Sequence, residues 1–245
     1  MKVAILQFPG SNCDWDAEHA VKDVLGVPAA RIWHKSPLPS ETEAVIVPGG
    51  FSFGDYLRCG AIARFSPIMN DLKSFAEQGG QVLGICNGFQ ILCEAGLLPG
   101  ALIRNDCLEF RCVNQNVKVE DSNDRFNSDE IGKELTLPIA HGEGNYRLKE
   151  DALSKLESNG QVLLRYLGNP NGSINDIAGI RNEAGNVYGM MPHPERAVET
   201  YHPSLDGLPI LKAFLKPILS NSLVEVSASR TRILFHPCLL IQTHV

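Results

Sequence analysis

Residues 81–92, QVLGICNGFQIL, pass from an apolar, β-branched run into a helical pattern, with a single cysteine, Cys86, at the change of period between Gly84 and Gly88. A short apolar run bounded by a turn signal reads as a strand buried on both faces, as in a parallel sheet. Two further runs, KVAILQF (2–8) and EAVIVPGG (43–50), read the same way. Helical stretches lie between them. DWDAEHAVKDVLG (14–26) opens with Asp14 as an N-cap and stops at Gly26, and a second stretch runs from about Ile62 to Gln78, with Pro67 breaking its first part. Strands alternating with helices call for right-handed crossovers and predict a doubly wound α/β sheet.

Beyond about Ala101 the pattern changes. ALIRNDCLEFRCVNQNVKVED (101–121) and ELTLPIAHGEGNYRL (134–148) read as longer strands with polar interruptions, and IAGIRNEAGNVYGMM (177–191) as a hairpin turning at 182–186. The predicted fold class is therefore α/β, a mixed but mostly parallel sheet flanked by helices. DGLPILKAFLKPIL (206–219) spaces Leu208, Leu211, Phe214, Leu215 and Ile218 so that one helical face is buried. Residues 1–219 thus form one domain, and 220–245 form a tail that reads either as an added strand or as a poorly packed segment.

Composition narrows the function. The chain has 245 residues, 44% hydrophobic and 20% charged, with a formal charge of −6. That balance, with no dense Lys/Arg cluster, argues against a nucleic-acid partner and for small molecules or proteins. The opening apolar run, Val3–Leu6, is too short for a signal core or a membrane span, so a cytoplasmic protein is expected. Seven cysteines, odd in number, scattered and without a C-x-x-C pair, read as reduced thiols with no metal site.

Gly84-Ile85-Cys86-Asn87-Gly88 has the form G-x-C-x-G at a strand-to-helix junction, the cysteine counterpart of a nucleophile elbow. The turn projects the sulfur past the sheet edge at a helix N-terminus, where orphan N–H groups favour a thiolate. Taken alone, the pattern fits a small buried thiol equally well. A nucleophile also needs a base, a group to orient it and donors for an oxyanion. Two pairs, His141/Glu143 and His193/Glu195, offer His-x-Glu at a strand end, where residues two apart in extended chain point the same way. Spacing leaves both open, although Pro192 and Pro194 stiffen the backbone around His193. Gly49 and Gly50, after a strand, together with the Asn87 N–H, are candidate oxyanion donors. Neither G-x-x-x-x-G-K-[ST] nor G-x-G-x-x-G is present, so no ATP cradle is signalled.

These segments resemble the class I, triad-type glutamine amidotransferases, which have a flavodoxin-like sheet. Within them, VAILQFPGSNCDWD, VPGGFSFGDYLRCGAIARFSPIM, VLGICNGFQIL, PIAHGEGNY and GMMPHPERAVE are similar to the branch that serves as glutaminase subunits of phosphoribosylformylglycinamidine synthase. The resemblance spans about residues 1–219 and implies that Cys86 is the nucleophile, His193 the base and Glu195 its orienting carboxylate. It implies that Gly49, Gly50 and Asn87 hold the oxyanion and that Gln90 helps hold glutamine. His141 and Glu143 lie near the site without an assigned role. No cofactor is implied in this chain. ATP and Mg²⁺ belong to a large synthetase subunit, accompanied by a small bridging subunit, which uses the ammonia to convert formylglycinamide ribonucleotide to the amidine in purine synthesis. The rival resemblance, to cysteine-elbow hydrolases of the intracellular peptidase and deglycase-like superfamily, is weakened by Asn87, which stands where that group usually places its base.

Overall fold

Strands β1 (Val3–Gln7), β2 (Ala29–Trp33), β3 (Ala44–Val47) and β4 (Gln81–Ile85) pair in parallel in the order β2-β1-β3-β4. This is the sheet predicted from the three apolar runs, with β2 added at its edge. The computed structural model describes residues 1–120 and 134–233, with side chains as far as Ser220. β11 (Val187–Met190) joins β4 in parallel, Gly189 opposite Gly84 and Met190 opposite Ile85. Antiparallel pairings then continue through β10 (Ile177–Arg181), β9 (Val162–Tyr166), β6 (Arg111–Val119) and β7 (Glu134–His141), so that among the nine described strands of this sheet only β10 and β6 run against the other seven. β5 (Ala101–Ile103) and β8 (Asn145–Arg147) form a small separate ribbon.

Burial follows position in the sheet. All of β3 and β11 is buried, as are Val82–Ile85, because both faces of these central strands are covered. Each large aliphatic side chain there contributes about 1.5–3 kcal/mol relative to exposure. β7, at an edge, alternates exposed or half-buried with buried residues, and that one-sided burial is the source of its polar interruptions. Its Pro138 is tolerated at such an edge. β2 escaped the apolar-run criterion because only Ala29 of its five residues is buried.

The helices correct two details. Cys13, not Asp14, is the N-cap of α1 (Asp14–Glu18). The Asp14 side chain is buried and turned away from the helix end, accepting a bond from Gln7 Nε2 at 2.7 Å and lying 3.8 Å from Arg31 Nη1. α1 runs on as a π-helical turn, His19–Val24, and ends before Gly26. Pro67 caps α2 (Ile68–Glu77), after a 3₁₀ turn at Ala63–Phe65. α3 (Asn87–Glu94) packs on β3, β4 and β11, and α4 (Glu150–Ser158) precedes β9. α5 spans Gly207–Ile233, so residues 221–233 continue a helix rather than forming the strand that the tail allowed. The rest of the tail, 234–245, lies outside the described residues, as does Cys238.

Candidate active site

The C-terminal ends of parallel strands are where open α/β sheets place their ligand-binding loops. β4 is followed at once by Cys86, whose backbone takes φ 50° and ψ −107°, a region that non-glycine residues rarely enter. The flanking glycines permit the turn. A Cβ on Gly88 would stand 1.8 Å from the Val47 carbonyl oxygen, and one on Gly84 would stand 2.8 Å from the backbone of Gly88. The Cys86 N–H donates to the Met190 carbonyl at 2.7 Å, which ties the elbow to the end of β11.

The chain leaving β11 at Met190 reaches His193 three residues later, and the His193 N–H is anchored on the Pro138 carbonyl of β7 at 2.8 Å. His193 Nδ1 lies 2.6 Å from Glu195 Oε1, and both side chains are buried. The pair is thus joined as expected, for a different reason: Pro194–Arg196 is a 3₁₀ turn, so the two side chains meet by folding back rather than by lying along one face of an extended strand. Burial works against charge on His193, but Glu195 and the Cys86 sulfur outweigh it and raise the imidazole well above its ordinary range. Nε2 is buried with no hydrogen-bond partner among the described residues, and so is Glu195 Oε2.

Gly49 completes the junction. A Cβ on it would stand 2.8 Å from His193 Cε1, 3.1 Å from Cys13 Sγ and 3.4 Å from Cys86 Cβ, so only glycine leaves this space open. Gly50 lies one residue on, with φ 129°. Asn87 opens α3, where a first-turn N–H has no partner within its own helix. Its side chain clamps the neighbouring loop. Oδ1 accepts the Ser52 N–H at 3.2 Å, and Nδ2 donates to Gln90 Oε1 at 2.9 Å and lies 3.5 Å from Asp55 Oδ1. Gln90 Nε2 donates in turn to the Glu143 carbonyl at 2.6 Å. Both ends of the Gln90 amide are therefore engaged in joining α3 to the 141–144 loop.

His141 lies beside this arrangement as a buried, neutral group. Burial, and secondarily the charge of His193, push its pKa down to about 3. Nε2 lies 3.0 Å from Asn171 Nδ2. The loop after it is fixed by Asn105, which donates to the His141 carbonyl and accepts the Gly144 N–H, and by Asn171 and Ser173, which donate to the Gly144 carbonyl. Sequence reasoning missed Asn105, Asn171 and Ser173. It also missed Cys13 and Arg196: Arg196 Nη2 donates to Cys13 Sγ at 3.2 Å and its Nε to Asp16 at 2.9 Å, beside the His193/Glu195 pair. The available signal was position, since Cys13 lies on the loop after β1 and Arg196 next to Glu195.

Residues 1–207 match the family described as the CobB/CobQ-like glutamine amidotransferase domain. The chain belongs to the glutamine amidotransferase family. Among curated relatives of this amidotransferase, the phosphoribosylformylglycinamidine synthase subunit PurQ of Synechococcus elongatus is 57% identical over 219 residues, covering 89% of this chain and 99% of that protein. A chain of the PurLQS structure from Thermotoga maritima superposes with a TM-score of 0.81 at 41% identity, covering 89% of this chain and 98% of its own. A further glutamine amidotransferase from Thermotoga maritima, 14% identical with a TM-score of 0.54 and coverages of 91% and 86%, shares the fold. No helix among the described residues of the amidotransferase is long and apolar enough to cross a membrane.

Proposed function

We propose that this chain is the glutaminase subunit of a phosphoribosylformylglycinamidine synthase, with Cys86 as nucleophile, His193 as base and then acid, and Glu195 as the carboxylate that orients His193. The observation that carries the reading is the junction at Gly49, where a strained cysteine elbow meets a buried His–Glu pair. The relative from Synechococcus elongatus and the PurLQS assembly point to the particular synthase.

In this reading the side-chain amide of glutamine enters above Gly49. The Cys86 sulfur attacks its carbonyl carbon while the thiol proton resides on His193, and the oxyanion accepts bonds from the N–H groups of Asn87 and of Gly49 or Gly50. His193 gives its proton to the departing nitrogen, releasing ammonia and leaving a glutamyl thioester. Water, deprotonated by His193, attacks the thioester and frees glutamate and the thiol. Glu195 holds the imidazole through Nδ1 and balances its charge. Gln90 acts by fixing α3 against the 141–144 loop that borders the glutamine site. Ammonia passes to a large synthetase subunit, which holds the ATP and Mg²⁺ and works with a small bridging subunit. The setting for this chemistry is the cytoplasm.

The test is peptide mapping after treatment with an electrophilic glutamine analogue, with and without excess glutamine and synthetase partners. A single adduct on Cys86, suppressed by glutamine, is expected. No adduct there with partners present would return the chain to the peptidase and deglycase-like elbow hydrolases.

A further inference from the structure

Cys13 has no part in the proposed chemistry, yet its sulfur, one ring nitrogen of His193 and one carboxylate oxygen of Glu195 all lie within 4.8 Å of one another. The three residues are 2%, 1% and 2% exposed. We infer that Cys13, His193 and Glu195 form a site for a thiophilic divalent cation such as Zn²⁺, and that its occupancy switches the amidotransferase off.

Four observations support it. The donors are one sulfur, one imidazole nitrogen and one carboxylate oxygen, the set that zinc accepts, and a fourth position stays open for water or the Cys86 sulfur. Two donor atoms are already desolvated, since His193 Nε2 and Glu195 Oε2 are buried with no hydrogen-bond partner among the described residues. Tetrahedral zinc requires ligand atoms about 3.3–3.8 Å apart, so the cluster, now within 4.8 Å, has to draw in as the ion binds. The missing Cβ of Gly49 leaves room between the Cys13 sulfur and the His193 ring.

Charge balances as well. A dication with one thiolate, one carboxylate and a neutral imidazole is a neutral cluster, which a buried site tolerates far better than a lone charge. Binding must expel the Cys13 thiol proton and whichever ring proton of His193 occupies the nitrogen that takes the metal. Arg196 Nη2, donating to the same sulfur, stabilises the thiolate that results. Metal on Nε2 removes the lone pair that takes up the thiol proton, and metal on Nδ1 displaces the bond to Glu195. Either way His193 stops working as a base. The cation is an inhibitor here and not a resident cofactor.

Direct binding of Cd²⁺ to the full chain tests the site without reference to glutaminase activity, by equilibrium dialysis and by the ultraviolet thiolate-to-metal absorption. The wild type and Cys86→Ser are expected to bind one buried ion with the absorption band, and Cys13→Ser to weaken that binding about tenfold or more. Cys13→Ala, checked for a native circular dichroism spectrum, is the second variant and is expected to behave like Cys13→Ser. Loss of the band in Cys86→Ser with retention in Cys13→Ser would place the ion on the elbow cysteine and overturn the inference. Equal binding by all variants would overturn it in favour of other thiols. If the chain proved inactive on glutamine, the binding result would still stand, so the two readings fail separately.

Discussion

Nδ1 of His193 stands 2.6 Å from Oε1 of Glu195, inside a 3₁₀ turn that follows the strand beside the one leading into Cys86. The carboxylate is the main influence lifting the imidazole above its ordinary range against burial. Glu195→Gln is therefore expected to move the His193 titration to lower pH and to reduce kcat roughly 10²–10⁴-fold. Imidazole NMR alongside the pH–rate profile checks both. An unmoved titration would mean that Glu195 does not set the charge of His193.

Cys86→Ala separates the two halves of the proposed reaction. In the reconstituted complex it is expected to abolish glutamine-dependent synthesis and to leave synthesis from added ammonia intact. Loss of both activities would assign the elbow a structural duty in the assembly.

His141 predicts an acid-sensitive fold. Its pKa in the folded chain is about 3, below the value of about 6.5 for an exposed imidazole. The unfolded chain therefore binds the extra proton first, and stability falls as pH drops below about 6.5, at about 1.4 kcal/mol per unit until pH 3. His193, whose pKa is raised, contributes in the opposite sense: its share is present at low pH and is lost as pH rises through its folded value. His141→Gln should remove about 2 kcal/mol of the stability change between pH 7 and pH 5, read from urea midpoints. An unchanged slope would refute a neutral, buried His141.

Asn87→Ala removes three connections at once: the acceptor for Ser52, the donor to Gln90 and the contact with Asp55. Leaving the buried partners unmatched should cost about 1–3 kcal/mol. The loop carrying Gly49 and Gly50 loses its tie to α3, so KM for glutamine is expected to rise. A variant with full stability and unchanged KM would show that this loop is held elsewhere.

The parallel core can be read from the sequence because a strand buried on both faces leaves an uninterrupted apolar run, as Ala44–Val47 does. The hairpin at 177–190 is equally legible, since Asn182 and Gly185 supply local turn chemistry. β2 is not, because at an edge only Ala29 needs to be apolar. In the site, the elbow is visible because both glycines sit two residues from Cys86, although only Gly84 is constrained by neighbouring chain and Gly88 is required by the Val47 carbonyl of β3. His193 and Glu195 are visible as a pair, although the geometry joining them is a folded turn and not an extended strand. Cys13, Arg196, Asn105 and Asn171 are hidden for a common reason. Each acts through contacts with chain distant in sequence, and residue type alone does not announce them.

The pairing of β4 with β11 also has a temporal side. During synthesis the first four strands and the elbow emerge well before β11, and amino-terminal parts generally fold first. Cys86 must then wait for a late, non-local parallel pairing before it meets His193, and such pairings are slow to form. A nascent chain stalled before β11 carries a cysteine without its base. Reactivity thus appears only once β11 has been made and paired, which spares shorter ribosome-bound intermediates from wasteful hydrolysis of glutamine.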